Sequence, residues 1–499
     1  MNEGFPLLSA LTFLPLAGAL VLLILPGENL ARMGALLVTV AVAVLSFQLY
    51  TGFDPTTALY QFGEHKPWIP SLNINYTLGI DGISLLLVLL TTFIMPLCVL
   101  GSWTYIKTRV KEFMIALLVM ETAMIGVFCA LDFALFYILW EAMLIPMYLL
   151  IGVWGGPRKT YASIKFFLYT LAGSVMLLVA IIALYLYNGT FSIPAMMGQG
   201  YSTTMQMWVF LAFFLAFAIK VPMFPFHTWL PAAHVEAPTA GSVVLASVLL
   251  KMGTYGFLRF CLPITPMATL TLAPYILYLS VAGILYGGLT ALGQSDMKKL
   301  IAYSSVGHMG FVTLGIFVLN TNGVEGSILQ MINHGVTTGA LFLCVGMMYE
   351  RTHSRELADH SGIAKNLPIF VTFLTIFSLS SLAFPATNGF VGEFLILVGG
   401  FTKNKIVAGF AVPGALLAAA YMFRLLEKVL FRGPGRPDLA DLNIREIATL
   451  TPLLVFVFWI GLAPEPFMNV MHASVAHLLH QIDIAQVAHT APITVALIP

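Results

Sequence analysis

Fourteen apolar runs, each close to the length that crosses a bilayer, constrain this chain more than any other feature. A helix needs about 20 mostly apolar residues to cross the hydrocarbon. The chain is 59% hydrophobic and only 9% charged, so it has too few polar side chains to cover a soluble core. The sequence therefore predicts an all-α polytopic membrane protein with fourteen transmembrane helices. The predicted spans, numbered 1 to 14 in chain order, are 5–26, 33–50, 83–105, 113–131, 133–153, 166–187, 206–231, 241–262, 272–293, 300–319, 327–348, 368–400, 406–430 and 448–468.

The remaining composition excludes several classes of protein. A net charge of +1 gives no basic field for nucleic acid. The four cysteines are scattered through apolar runs, which indicates core residues and no metal or iron–sulfur site. The first apolar run follows Glu3 and not a basic segment, so we expect a first span and not a cleaved signal peptide.

Two of the predicted spans are interrupted. Span 7 contains Pro222 and Pro225, and span 12 is unusually long and carries Pro385, Asn388 and Gly389 near its middle. Proline removes a helix donor and clashes with the preceding turn, so both helices should break. Broken backbone at membrane depth occurs only where protein or a water-filled cavity satisfies it. Both breaks are therefore candidate functional positions.

The spacing of the breaks predicts an internal repeat. They lie five spans apart, so the second copy would enter the membrane from the opposite side, as in inverted-repeat transporters. We expect four segments: 1–112 with spans 1–3, 113–262 as the first five-span repeat, 263–430 as the second, inverted repeat, and 431–499 with span 14 and an amphipathic tail. The tail histidines, together with helically spaced apolar residues, favour an interfacial helix over a metal site. These histidines are His472, His477, His480 and His489.

Basic residues in the loops predict the orientation. With the N-terminus outside, fifteen fall in inner loops and three in outer loops. Basic loops remain cytoplasmic, so this bias supports an even number of spans with both termini outside. The inner residues are Arg32, Lys107, Arg109, Lys111, Arg158, Lys159, Lys165, Lys298, Lys299, Arg351, Arg355, Lys365, Arg432, Arg436 and Arg445, and the outer ones are Lys66, Lys403 and Lys405.

Ionisable side chains lie inside the predicted spans, where a charge costs at least about 2.5–3.5 kcal/mol on insertion scales. A buried Glu–Lys pair can be merely structural, and a lone histidine is often a hydrogen-bonded core residue. A row of Glu, Lys and His nevertheless predicts a proton path, with water bridging the gaps. The candidates are Glu141, Lys220, Lys251, His308, His334 and Glu393, with His227 a weaker candidate, Glu121 given no firm role, and His234 noted near the inner end of span 7.

Several strings in spans 5 to 12 resemble the antiporter-like subunits of complex I. They are LWEAMLIPMYLLIGVWGG, KFFLYT, AIKVPMFPFHTWLPAAHVEAPT, LLKMGTYGFLRF, KKLIAYSSVGHMGF and NGFVGEF. In this family, subunits L and N and the Mrp antiporter subunits resemble one another in carrying lysine at the position of Glu393. Because this chain has a glutamate at that position, it resembles a class of family members other than these. The absence of a long lateral helix also argues against subunit L. The string AFPATNGF departs from the Pro-Gly pair of many relatives, although we expect the break to persist.

The resemblance implies roles for the candidates by position. Glu141 would be the partner of Lys220, Lys251 the connecting lysine, and Glu393 the terminal residue of the output half-channel. His308 and His334 would lie on the central axis.

The resemblance also implies partners and a location. NADH, FMN, iron–sulfur clusters and quinone would belong to partner subunits, with no cofactor or metal on this chain. The partners would be the neighbouring subunits L and N, other membrane subunits and lipids, and not nucleic acid. The location would be a bacterial cytoplasmic (inner) membrane, with both termini periplasmic, in preference to an organelle inner membrane.

Other classes of function stay open at this point. One is a cation/proton antiporter subunit or the membrane subunit of an energy-converting hydrogenase; Glu393 argues against the Mrp type. Another is a structural subunit that conducts nothing and relays a signal between neighbours. An autonomous redox enzyme is the least favoured class, because the chain has no dinucleotide fingerprint on a βαβ unit and no cysteine cluster.

Overall fold

The structure, a computed structural model, describes residues 5–431, 433 and 435–490. Arg432, counted above among the inner basic residues, lies outside the described residues. So do Glu3 and the tail beyond residue 490, and the same holds for the side chain of His489.

Thirteen helices in the described part of the chain are long and apolar enough to cross a membrane. They correspond to predicted spans 1 to 11, 13 and 14, so the prediction of an all-α polytopic membrane fold is confirmed. In chain order they are Leu7–Ile24, Glu28–Gly52, Gly82–Gly101, Val110–Cys129, Phe133–Trp154, Lys159–Asn188, Thr203–Lys220, Thr239–Ile264, Pro266–Leu292, Met297–Phe317, Thr321–Thr352, Lys405–Phe431 and Ile444–Leu462.

Predicted span 12 differs from the others because it consists of two shorter helices, Pro368–Ser381 and Asn388–Lys403. Neither reaches the length of a full span. The first of the two also follows a short helical segment, Leu357–Lys365, at an angle of 115°. Counting that bent pair as one span raises the total to fourteen. The bend between that pair was not predicted, whereas the gap between Ser381 and Asn388 lies where the sequence predicts the interruption of span 12.

A β-hairpin between spans 2 and 3 was not predicted. Strand β1, Gln61–Ile69, pairs antiparallel with β2, Ile74–Ile80. The Glu64 carboxylate accepts hydrogen bonds from the backbone N–H groups of Leu8 at 2.8 Å and Ser9 at 3.1 Å. The first N–H groups of a helix have no partner within the helix. The hairpin thus caps span 1 and ties the two segments together.

The break of span 7 follows directly from its prolines. The helix ends at Lys220 and resumes as Trp229–Glu236. Across the gap, the Trp229 indole N–H donates to the Ile219 carbonyl at 2.8 Å, and the Met223 N–H donates to the Ala218 carbonyl at 2.9 Å. Carbonyls freed by the missing proline donors are satisfied locally, so the end of the helix is fixed in place.

The break of span 12 occupies residues 382–387 and rests on span 14. Ala383 and Ala386 have φ angles of +58° and +71°, a region that side chains with a Cβ rarely adopt. A Cβ added at Gly461 of span 14 would lie 2.2 Å from the Ala386 carbonyl oxygen. Only glycine allows this close approach. Span 14 therefore supports the break by direct contact between its backbone at Gly461 and the backbone of Ala386.

Two further spans are irregular, and prolines explain part of the pattern. Span 5 is interrupted at Met143, where Pro146 clashes with the preceding turn. Span 8 contains two π-helical segments, Leu245–Leu249 and Phe257–Cys261. Pro263 lacks the N–H that would bond within the second segment. No proline explains the first segment, which directly precedes Lys251. Such π segments are frequent at functional positions.

Burial separates an inner group of spans from a lipid-facing shell. Spans 8 and 11 are 100% buried over their apolar windows and span 10 is 89% buried, whereas spans 2 and 14 are 28% and 33% buried. The inner spans therefore carry the residues that neither lipid nor solvent reaches.

The tail forms a terminal helix, Glu465–Thr490, that packs on the rest of the chain. Its Val475, Leu478 and Ile482 are buried. His472 Nδ1 lies 2.7 Å from Glu325 Oε1 at the start of span 11. The inverted relation between the two five-span repeats stays a prediction.

Candidate functional site

Lys251 lies on the fully buried span 8 and is 0% exposed. Its ammonium nitrogen is 2.5 Å from the Ala246 carbonyl oxygen, inside the first π segment, and 2.6 Å from His334 Nδ1 of span 11. When the lysine is charged it can only donate, and the imidazole nitrogen that faces it then accepts. The contact between Lys251 and His334 joins the first predicted repeat to the second.

His308 of span 10 and Glu393 of span 12 form a second buried contact. His308 Nδ1 lies 2.9 Å from Glu393 Oε1, and both residues are at most 5% exposed. The same carboxylate oxygen accepts from the Gln330 amide at 3.1 Å. The other oxygen, Oε2, is buried with no hydrogen-bond partner among the described residues. Glu393 therefore has one occupied and one free acceptor.

The two contacts meet at a small polar cavity. The His308 and His334 rings are 5.8 Å apart at their centroids, and His334 Nε2 has no hydrogen-bond partner in the described part of the protein. The cavity is comparable in size to one water molecule, and both imidazoles line it together with Asn333, Thr337 and Ser381. Lys251, His334, His308 and Glu393 thus form a nearly continuous row.

Lys220 and Glu141 were predicted to pair, but the described residues contain no ion pair between them within 4.0 Å. The ammonium of Lys220 lies 3.4 Å from the Met143 sulfur and 5.2 Å from the centre of the Trp140 ring. The irregular turn of span 5 brings Met143 to this position. Glu141 is still near enough for its charge to act on the ammonium.

The segments that carry Lys220 and Lys251 pack closely at Gly253, two residues after Lys251. A Cβ added at Gly253 would lie 2.7 Å from Val221 Cγ2, 3.0 Å from the Phe217 carbonyl oxygen and 3.1 Å from Lys220 Cβ. Spans 7 and 8 therefore leave no room for a side chain at position 253.

Glu121 of span 4 is buried away from the row. It is 0% exposed, and neither carboxylate oxygen has a hydrogen-bond partner among the described residues. It lies in the neighbourhood of Cys98 of span 3. The structure does not bring it into contact with the other candidates.

The two histidines that follow Lys220, beyond the end of the first part of span 7, differ in their surroundings. His227 stands in the break, where its ring contacts Phe224 and Tyr286, with centroids 5.8 and 4.8 Å apart. His234 is fully buried and stacks on Phe342 at 4.5 Å, and it lies within electrostatic reach of Lys251. In the described structure, none of the ring nitrogens of either histidine has a hydrogen-bond partner. Neither histidine bonds to the row.

Several residues around the row were not predicted. Most of them are neutral polar residues, which cost little free energy to bury, so their presence in an apolar run does not indicate a functional site. Lys298 was counted as a loop residue, but it is only 8% exposed and donates to the Ala237 carbonyl at 2.5 Å. Lys298 comes two residues after Asp296, the N-cap of span 10. This place in the first turn of the helix could have indicated a side chain buried in the protein interior. The neutral residues that touch the row or its cavity are Gln330, Asn333, Thr337, Ser381 and Tyr421.

Two family models together match most of the chain. The family described as NADH:quinone oxidoreductase/Mrp antiporter, transmembrane, matches residues 130–418. The amino-terminal family of NADH-ubiquinone oxidoreductase chain 4 matches residues 11–127. The chain is 48% identical over 495 residues to NADH-quinone oxidoreductase subunit M of Rhodobacter capsulatus, covering 95% of this chain and 96% of that protein. The chain belongs to the subunit M family.

Further relatives agree with the subunit M family. NADH-ubiquinone oxidoreductase chain 4 of Marchantia polymorpha is 46% identical, with 95% of this chain and 97% of that protein covered. The structure is similar to a chain of respiratory complex I from Thermus thermophilus with bound NADH. That similarity has a TM-score of 0.88 and 30% identity, and it covers 95% of this chain and 99% of the other. The resemblance to the antiporter-like subunits is therefore confirmed, and the acid-bearing class indicated by Glu393 is subunit M.

Proposed function

We propose that this chain is a proton-translocating subunit in the membrane arm of an NADH:quinone oxidoreductase. Electron transfer from NADH to quinone would take place on other subunits. This chain would convert the resulting perturbation into proton movement across the membrane. Membership of the subunit M family supports the proposal.

One observation carries the proposal: the buried row from Lys251 through His334 and His308 to Glu393. Isolated charges at membrane depth are costly and need partners. Here each titratable group contacts the next, or shares a cavity with it that suits one water molecule. Groups that can each hold or release a proton, at these separations, are what proton transfer along a chain requires.

Lys220 and Glu141 would control the row from the side. Lys220 is 2% exposed, and among the described residues its ammonium has only a sulfur and an aromatic ring as close partners. Both are weak substitutes for a carboxylate. A small shift of Glu141 toward the lysine would therefore change the local field strongly, because little else screens that charge.

We also propose that both termini face the periplasm of a bacterial cytoplasmic membrane, with subunits L and N as neighbours. The charge bias of the loops supports this orientation. The redox cofactors, namely NADH, FMN, iron–sulfur clusters and quinone, would belong to partner subunits.

Replacing Lys220 tests the proposal. Lys220→Ala should abolish proton pumping and reduce quinone-coupled turnover by about tenfold or more, while the complex still assembles. Removing one member of an interdependent set costs nearly as much as removing several. The measurement is NADH-driven acidification in vesicles that contain the purified complex, together with the NADH oxidation rate.

The matched control is Lys403→Ala, since this exposed lysine ends the second helix of span 12. It should pump like the parent complex. Normal pumping by an assembled Lys220→Ala complex would refute the proposed function, together with the role of the lysine in it.

A further inference from the structure

The imidazole of His308 has polar neighbours on both sides. Nδ1 faces Glu393, as described above. Nε2 lies 3.3 Å from the Ser381 hydroxyl and 3.3 Å from the Tyr421 hydroxyl. Ser381 ends the first helix of span 12 and Tyr421 belongs to span 13, so three spans converge on one ring. Ser381 and Tyr421 are 5% and 3% exposed.

The chemistry of these neighbours suits a ring that changes its protonation state. When Nδ1 carries a proton toward Glu393, a neutral imidazole needs a donor at Nε2, and a charged imidazolium needs an acceptor there. A hydroxyl can turn to serve as either. An ammonium or a backbone carbonyl would satisfy only one of the two states. Two hydroxyls that share one nitrogen also explain why both distances are at the long end of the hydrogen-bond range.

Packing alone does not account for a tyrosine at position 421, because a buried hydroxyl left without a partner costs about 1–3 kcal/mol and phenylalanine would fill the same space. Its hydroxyl instead has polar surroundings in His308 and Ser304, one turn earlier on span 10. The contacts of the hydroxyl oxygen therefore account for a tyrosine at position 421.

We propose that Tyr421 is a positioning residue for proton transfer at His308. Together with Ser381 it keeps Nδ1 directed at Glu393 and satisfies Nε2 in both the neutral and the charged form of the ring. Because either hydroxyl can perform this task, each substitutes for the other. This inference rests on the proposed function and adds a residue that lies outside the predicted row.

Because the two hydroxyls can replace each other, single and double variants should behave differently. We would compare them in the assembled complex, reconstituted in vesicles with NADH and a short-chain quinone. Tyr421→Phe and Ser381→Ala should each keep proton flux within about twofold of the parent. The double variant should lose about tenfold, more than the product of the two single losses, because Nε2 then has no partner. The apparent KM for quinone should not change, since the quinone site would be on another subunit.

Two further double variants separate hydrogen bonding from packing. Tyr421→Phe combined with Ser381→Thr restores a hydroxyl and should regain most of the flux. Tyr421→Phe combined with Ser381→Cys nearly keeps the side-chain volume but supplies only a weakly bonding sulfur, so it should stay low. The Cys variant also gives the answer if the alanine double variant does not assemble. Tyr278→Phe, on the exposed face of span 9, is the matched control.

The outcomes distinguish this inference from the proposed function. If Lys220→Ala stops pumping but the double variants pump as the product of the single variants, the role of Tyr421 is overturned and the function stands. If Lys220→Ala pumps normally, the proposed function itself fails. Equal flux in the Thr and Cys double variants would also overturn the role, because hydrogen bonding would then not matter.

Discussion

Glu393 gives the sharpest test at the scale of a single residue. Its carboxylate accepts from both His308 and Gln330. In Glu393→Lys, a donor replaces this acceptor and faces two groups that need one. We expect proton flux to fall by about tenfold or more in reconstituted vesicles, with assembly intact.

The conservative variant Glu393→Gln serves as the control for volume, since it keeps an acceptor oxygen but cannot carry the charge. A Glu393→Lys complex that pumps normally would show that the acid is not needed as such.

Glu121 should behave in the opposite way. Its oxygens have no hydrogen-bond partner to lose in the described structure, and it does not touch the row. Glu121→Gln keeps the shape and removes only the titratable group, so proton flux should stay within about twofold of the parent. A complex without activity would show that Glu121 has a function that its surroundings do not indicate.

Residues of the row could be predicted from sequence because burying an ionisable side chain at membrane depth is costly, so such residues are rare in apolar runs. Lys251, His308 and Glu393 are conspicuous in the sequence for this reason alone. Gln330 and Tyr421 could not be found this way, because neutral polar side chains are tolerated inside helix bundles. The position of Met143 beside Lys220 could not be predicted either, because it depends on the irregular turn of span 5, whose geometry cannot be derived from the sequence.

At the scale of elements, the prolines predicted where spans 7 and 12 break, but not what supports the breaks. Span 12 turns through Ala383 and Ala386 in left-handed conformations, although neither is a glycine. Such strain persists only when surrounding structure over-determines it. The hairpin of residues 61–80 was missed because its short strands lie between two strong helical signals.

Gly461 tests the support of the break. A methyl group added there would meet the Ala386 carbonyl at 2.2 Å, and backbone cannot move aside as a flexible side chain can. Gly461→Ala should therefore displace the break and lower both the yield of assembled complex and its proton flux, by about twofold or more. Native gel electrophoresis and vesicle acidification measure the two effects.

Gly409→Ala is the matched control, because this glycine of span 13 has nothing within 4 Å of an added Cβ. Alanine is the better helix former, so this variant should assemble at least as well as the parent. Equal behaviour of the two variants would mean that span 14 does not hold the break.

At the scale of the whole molecule, orientation can be read from the loops but depends on the count of crossings. The predicted count is even, and the piecewise span 12 is the one crossing that length alone does not establish. The described cysteines are all buried, which leaves a low background for chemical labelling.

Labelling from one side of the membrane checks the orientation. Lys66→Cys lies in the hairpin and Lys107→Cys in the loop after span 3, and both positions are exposed. In spheroplasts, a membrane-impermeant maleimide should label Lys66→Cys and not Lys107→Cys. Permeabilised cells provide the control, since both should then react. The reverse pattern would invert the proposed topology.

The glycine contact between spans 7 and 8 has a consequence for how distant events reach the row. Gly253 lets the two helices approach so closely that an added Cβ would lie within 3.1 Å of Val221, Phe217 and Lys220. Close-packed interiors have low compressibility and transmit strain. A displacement of the Lys220 segment would therefore be passed to the Lys251 segment by direct contact, in addition to any change in the field between the two lysines.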